Sequence, residues 1–494
     1  MNKKVQTTSF DAEDTGCFGD VLTSPPTLRP AVVGVLGLGY FEYWRMYPAL
    51  ESQVKRDLQG AVTRLRKALP DTEVVYPGMV DTLDRAQSAG ESFRRANVEI
   101  LVVIAGTYLP DFITLHAINV CAFRPQVILF NTQTGKDVNP SDNYIATMRN
   151  SALIATTQLS GSFRKMKLDY SVVVGEITDS APYTEIGGLV AILTAVRHLR
   201  SSTIGLVGHV FRGMYDLEFD RAKVKGFLGP EVMTIQAEHL IEIWKKVPAT
   251  ETSRRTEQLL KRFRARNVAR EDAEKSVRLG LAMRALYRKY NLDGLCFLGQ
   301  HYLEKMTGAP ARMGASMLME EDGFPVACEG DVGGLVMMEL MRRFTGNMPL
   351  QAEWGQFDVS NNALFMLGHG IGAPALAVSD QGITLTGSPE EWGFSGGGLN
   401  YELIMKPGTV TFGHVLGCGD TYRMLVCKGE AIDFPTLPCN ELHAMIRLER
   451  PVCAFLEELL RHGVAHHAII VHGDCTEQLR LAAQMMRIDV LELK

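Results

Sequence analysis

The chain has 494 residues, too many for a single hydrophobic core, so two to four domains are expected. Its 51 basic and 56 acidic residues leave a net charge of −5, which argues against a nucleic-acid or anionic-membrane partner. A hydrophobic content of 46% and a charged content of 22% are those of an ordinary globular protein, and no run of about eighteen apolar residues is available to span a bilayer.

Residues Met1 to Pro30 carry Lys3 and Lys4 and then turn acidic and polar, without the apolar centre of a secretory signal. They read as a loose or subunit-contacting arm, and a cytoplasmic protein is expected. The nine cysteines are odd in number, none has CxxC spacing and several lie in apolar runs. Buried thiols in a reducing compartment are therefore expected, rather than disulfides or a zinc site.

From Ala31 onward, short β-rich runs alternate with amphipathic helices. Val32 to Leu38 reads as a buried strand, followed by a helix whose apolar face carries Leu50, Val54, Leu58, Val62, Leu65 and Leu69. Glu73 to Tyr76, Ile100 to Ala105 and Gln126 to Asn131 repeat the strand signal, which predicts a parallel α/β layer with its ligand loops at the strand carboxyl ends. The first such loop, Gly37 to Trp44, lacks the third glycine of a dinucleotide turn and reads as an aromatic rim or packing corner. A second α/β unit begins near Ser201, with strands at Thr203 to Val207, Val232 to Ile235 and Leu295 to Leu298. Helices are predicted through Tyr290, over Ala309 to Met319 and over Leu335 to Met341.

Beyond Leu350, glycine-rich turns and short β runs at Leu364 to Leu367, Gly382 to Leu385, Val410 to Phe412 and Tyr422 to Lys428 predict a mostly antiparallel sheet or barrel. A helix from Pro451 to Arg461, a strand opened by His466 and His467, a helix from Thr476 to Met486 and a strand from Asp489 to Leu493 finish the chain. The fold class is thus α/β, with two Rossmann-like or flavodoxin-like parallel domains followed by a β-rich, barrel-like one. The boundaries are 1–30 for the arm, then 31–199, 200–350 and 351–494.

Glu329, Glu353 and His369 each sit at the rim of an apolar segment beside glycine or aromatic residues, which suggests one site assembled from separate loops. Two glutamates and two histidines around one ion suit Mn²⁺, Co²⁺, Fe²⁺ or Mg²⁺, and no cysteine is expected among the ligands. Such an ion would leave room for a vicinal hydroxy-carbonyl compound, with one glutamate moving the α-proton and the other the hydroxyl proton. Each residue has a structural alternative: Glu329 as a helix cap, Glu353 as a salt-bridge partner on a turn, His369 as a surface turn residue. Along a strand, alternation allows at most one of His466 and His467 to face the site. His209, His301, His414 and His472 also stand near glycines and stay open as ligands.

The series Ala-Cys-Glu-Gly-Asp (Ala327 to Asp331), an isolated Glu353 before an aromatic, Leu-Gly-His (Leu367 to His369) and Ala-His-His (Ala465 to His467) resembles the metal-site pattern of the L-arabinose and L-fucose isomerase family. Spacings of 24 and 16 residues separate Glu329, Glu353 and His369. The resemblance implies a fucose isomerase-like fold and a metal-dependent aldose-ketose isomerase working through a cis-enediol. It implies Glu329, Glu353, His369 and His467 as ligands of Mn²⁺ or another divalent cation, with Glu329 and Glu353 also the catalytic pair. Gln133 matches a sugar-contacting position, and Phe211 and Tyr302, in loops at strand ends, join it as candidate substrate contacts. A hexamer or trimer with active sites between subunits is implied as well. The first loop, Gly39 to Glu42, departs from the arabinose pattern, so a pentose, a 6-deoxyhexose or a 6-modified hexose stays open. The alternatives are a non-catalytic sugar-binding or regulatory protein and a metal-dependent epimerase or aldolase.

Overall fold

The structure is a computed structural model that describes residues 31–121, 125–297, 300–390 and 393–493. The predicted N-terminal arm, Cys17, and Leu298, the end of one predicted strand, lie outside the described residues. The chain divides into two compact units, Leu28–Thr194 and a larger one from Ala195 to Lys494. No helix among the described residues is long and apolar enough to cross a membrane.

In the first unit, the strands β1 (Val32–Leu38), β2 (Glu73–Val75), β3 (Ile100–Ala105), β4 (Gln126–Gln133) and β5 (Tyr170–Glu176) form a parallel sheet of order β2-β1-β3-β4-β5. The helix Pro48–Ala68 buries Leu50, Val54, Leu58, Val62 and Leu65, the apolar face read from the sequence, because residues three and four apart share one side of a helix. The loop after β1 is a packing corner. Tyr40 meets Phe41 and Tyr43 edge-on at 5.2 and 5.3 Å, and Trp44 donates its indole N–H to Asp81 at 2.6 Å.

The larger unit begins with a second parallel sheet. Its strands are β6 (Thr203–Val207), β7 (Glu231–Ile235), β9 (Gly294–Phe297) and β10 (Val326–Ala327), in the order β10-β9-β6-β7, while β8 (Arg264–Ala265) belongs to the next sheet. The third sheet holds β11 (Leu350–Asp358), β12 (Ala363–Gly368), β13 (Thr384–Thr386), β14 (Asn400–Ile404), β15 (Gly408–Cys418), β16 (Thr421–Ala431), β17 (Leu442–Arg447), β18 (His467–His472) and β19 (Asp489–Leu493). An additional pairing of β16 with β17 closes β16-β15-β18-β11-β12-β17 into a ring in which every neighbour is antiparallel. Parallel β19 and β14 flank the ring on β16 and β17.

The ring follows from a period of two. Leu350 and Ala352, Leu364 and Met366, Val410 and Phe412, Leu425 and Cys427, Ala444 and Ile446, and Ala468 and Ile470 are alternate residues of its strands, and all join one buried core. Closure leaves no open edge among these strands. Phe412 packs against Trp354 at 6.1 Å and Phe455 at 6.3 Å, at the centre of that core. Truncating it to alanine is expected to destabilise the larger unit by about 3–5 kcal/mol, the usual cost of emptying a buried aromatic position. Equilibrium urea unfolding of Phe412→Ala against the parent chain checks this.

Candidate active site

The candidate residues come together at one end of the ring and at the carboxyl end of the second parallel sheet. Glu353 on β11 stands directly opposite His467, the first residue of β18. Ala352, beside it, pairs with Gly368, so His369 follows immediately as β12 ends. Glu329 arrives from the turn after β10. Its backbone is in the left-handed region with φ of 62°, followed by Gly330 at 75°. A Cβ on Gly330 would stand 2.7 Å from the Val210 Cα, so only glycine lets the Gly208–Met214 loop approach this closely. The Phe211 N–H donates to the Glu329 carbonyl at 3.0 Å and fixes the turn.

The distances are those of a compact cluster. Glu329 Oε2 lies 3.3 Å from His467 Nε2 and 3.6 Å from His466 Nε2. His369 Nε2 lies 3.1 Å from His467 Nε2 and 3.5 Å from Glu353 Oε1. Three overlapping triplets each bring their ligand atoms within 4.8 Å of one another and could hold a metal ion: Glu353–His369–His467, Glu329–His466–His467 and Cys328–Glu329–His369. Glu329 and Glu353 line a single cleft with His301, Arg312, His369, Phe394 and Glu441.

Behind the cluster sits Asp331, 1% exposed. It accepts from His467 Nδ1 at 2.9 Å, from His414 Nε2 at 2.9 and 3.0 Å, from Gln351 Nε2 at 3.2 Å and from the Gly334 N–H at 2.7 Å. The last of these caps the helix Val332–Thr345. A Cβ on Gly333 would fall 2.0 Å from the Val415 carbonyl, so this glycine admits β15, and with it His414, to the cap. Gln351 Nε2 also lies 2.9 Å from His467 Nδ1. Two donors cannot share a proton there, so we assign the Nδ1 proton to the Asp331 carboxylate. His467 then presents Nε2 to the cluster, the arrangement in which a carboxylate orients a metal-binding imidazole.

The electrostatics follow from burial and from these partners. Burial opposes ionisation of Glu329 and Asp331, yet His466 and His467 hold the first, and His414 and His467 the second, well below the usual carboxylate range. Burial also works against charge on His467, but its bonds to Asp331 and Glu329 raise it to about 10. His369, buried with less compensation, falls to about 3. Burial raises Glu353, with the charge of Glu329 adding to the effect. Glu329 Oε2 and His466 Nε2 are buried and have no regular hydrogen-bond partner. Orphaned atoms of this kind, among oxygen and imidazole donors, fit a divalent ion.

Asp331, not Glu329, caps the helix; Glu353 lies on a strand rather than a turn; and His369 is only 7% exposed. The alternation argument for His466 and His467 fails, because β18 begins at His467 and His466 precedes it, held by Asp216 at 2.7 Å. Cysteine was not expected near the ligands, yet Cys328 is a member of one triplet. Burial and then Glu329 push its thiol well above the ordinary value. Gln133 belongs to the Leu28–Thr194 unit, where it ends β4 and donates to the Gly135 carbonyl at 2.6 Å. Tyr302 is half-buried on the helix Gln300–Thr307, and its neighbour His301 lines the cleft. The sequence places Asp331 near the N-terminal end of the predicted helix Leu335 to Met341 without marking it as part of the site, and it does not single out Gln351, Arg312 or Glu441. Their only advance signal is a buried polar residue next to a candidate ligand or inside an apolar helix.

No family model matches the chain. It is 28% identical over 329 residues to a sulfoquinovose isomerase of Alkalicoccus urumqiensis, covering 66% of this chain and 72% of that protein. It is 24% identical over 345 residues to the sulfoquinovose isomerases of Priestia aryabhattai and Priestia megaterium, covering 69% of this chain and 76% of theirs. This homology supports an aldose-ketose isomerase. The buried histidine, glutamate and cysteine cluster that could bind a metal lies in the same chain.

Replacing Asp331 by alanine is expected to cost about 3–5 kcal/mol of stability, the penalty for stranding buried partners of a charged group. Asp331→Asn retains an acceptor for the Gly334 N–H and should lose less. Chemical denaturation of the two variants separates the cap from the charge.

Proposed function

We propose that the chain is a divalent-metal-dependent aldose-ketose isomerase that works through a cis-enediol. The observation that carries this reading is the convergence of two carboxylates and two imidazoles, from four separate segments, in one cluster, three of whose members, Glu329, Glu353 and His369, line the cleft. Glu329, Glu353, His369 and His467 would hold the ion, with Mn²⁺ the first to test and Co²⁺ or Mg²⁺ next. When bound, such an ion supplies Lewis acidity to the substrate carbonyl.

The glutamates supply the proton transfers. One carboxylate removes the C2 proton of the open-chain aldose; the electron pair of that bond becomes the C1–C2 double bond while the other glutamate, in its acid form, gives its proton to the C1 oxygen. After exchange with solvent the first returns a proton to C1, and the second, now ionised, takes the O2 proton, leaving a ketone at C2 and itself restored to the acid. Homology makes a sugar the substrate, and the names of the relatives put sulfoquinovose, a hexose with a sulfonate at C6, first among the 6-modified hexoses. The arabinose and fucose isomerase pattern, a cytoplasmic location and a homo-oligomer belong to the same reading.

The test is a screen of free pentoses, 6-deoxyhexoses and sulfoquinovose with Mn²⁺ in D₂O. Ketose carrying solvent deuterium at C1 is expected. Ketose without deuterium points instead to a hydride shift, and no ketose from any sugar overturns the isomerase. Glu329→Gln and Glu353→Gln should each lower kcat by about 10²–10⁴-fold, the usual contribution of a general acid or base. Chelation followed by Mn²⁺ should remove and then restore turnover.

A further inference from the structure

One wall of the cleft is built around a buried ion pair that the proton-transfer scheme does not use. Arg312 opens the helix Arg312–Glu321, is 2% exposed and pairs through Nη1 with the buried Glu441. Its guanidinium lies 4.7 Å from the centre of the Phe394 ring, and Phe394 stacks on His301 at 4.2 Å, nearly parallel. The pair also touches the segment that delivers His369. Gly370 has φ of 67°, and a Cβ there would stand 2.6 Å from Arg312 Nη1.

Each member of the pair keeps one buried atom without a partner: Nε of Arg312, a donor, and Oε2 of Glu441, an acceptor. Both residues line the cleft with Glu329, Glu353 and His369. A buried ion pair that serves only stability satisfies its remaining lone pairs and protons within the fold, because an unsatisfied polar atom costs stability. A free donor and a free acceptor within one ion pair are together the complement of a hydroxyl group, which both accepts and donates. A sulfonate or carboxylate only accepts, and Glu441, Glu329 and Glu353 would all repel it.

We propose that Arg312 and Glu441 are the hydroxyl-recognising pair of this cleft, seating a sugar hydroxyl between Arg312 Nε–H and Glu441 Oε2. The pair sets which polyol is accepted, and a charged C6 group is held elsewhere. The identity of the ligand as a sugar rests on the isomerase reading. Recognition by paired donor and acceptor does not require turnover, so the two can be tested apart.

The experiment is calorimetric titration of the full-length chain with glucitol, mannitol and galactitol and with their monodeoxy forms, which bind but do not isomerise. Glu441→Gln preserves shape and an oxygen for Arg312 but turns the free acceptor into a donor. It is expected to weaken binding of the preferred hexitol at least tenfold, with Mn²⁺ content and melting temperature kept. One deoxyhexitol, lacking the seated hydroxyl, should bind parent and variant alike. The double variant Arg312→Met with Glu441→Leu leaves no lone buried charge and should show the same selective loss. A C6-sulfonated hexitol should lose affinity by the same factor as its uncharged form. The proposal is overturned if no hexitol binds the parent chain, if Glu441→Gln binds within twofold of it, or if every deoxyhexitol loses equally. A parent chain that binds hexitols through this pair yet forms no ketose would refute the isomerase and leave the pair standing.

Discussion

The buried carboxylate of Asp331 is the constraint on which the candidate site depends. It accepts hydrogen bonds from the imidazoles of His414 and His467, the amide of Gln351 and the backbone N–H of Gly334. These partners come from β15, β18, β11 and the helix Val332–Thr345, so one side chain ties the end of the ring to the carboxyl end of the neighbouring parallel sheet. Burying a charge is unfavourable unless its oxygens are occupied, and here four donors share them. The consequence reaches the cleft through a single bond. With the Nδ1 proton of His467 directed at Asp331, the other nitrogen can only face Glu329 and His369.

The turn that carries Glu329 shows what this arrangement costs. A non-glycine residue in the left-handed region is disfavoured by about 1–3 kcal/mol, and such residues persist where their surroundings over-determine them. The Phe211 N–H on the Glu329 carbonyl, the Gly330 N–H on the Phe297 carbonyl and the Asp331 cap do so within three residues. Glu353, by contrast, needs no strain, because the antiparallel register of β11 and β18 already sets it opposite His467. The two glutamates therefore reach the same cleft by different means, one through a tight turn and the other through a ladder.

What was legible in the sequence follows the range of the interactions involved. The strand Ile100–Ala105, the helix Thr476–Met486 and the strand Asp489–Leu493 emerged with their observed limits because a period of two or of 3.6 is a local property. β11 did not, since its outer end, Gly355 to Asp358, is polar or exposed and resembles a loop. The sequence indicated a barrel but not its closure, which depends on β16 meeting β17 and on nothing within either strand. Glu329, Glu353, His369 and His467 stood out because acids and histidines beside glycines are conspicuous. Asp331 did not, because an acid before a helix looks the same whether it caps one N–H or anchors two imidazoles as well.

His466 carries the same lesson further. Alternation along a strand is sound physics, but it applies only where the ladder has begun, and β18 begins one residue later. Freed from the pleat, His466 turns to Asp216 and keeps its Nε2 near Glu329. The chain thus places next to each other one imidazole fixed by the ladder and by Asp331, and a second fixed by a carboxylate from the Tyr215–Leu217 turn. Both are oriented from behind by an acid, and both aim the remaining nitrogen at the same carboxylate. Such orientation from outside the cleft sets the direction of a ligand lone pair before any ligand arrives, so binding energy need not be spent on arranging the side chains.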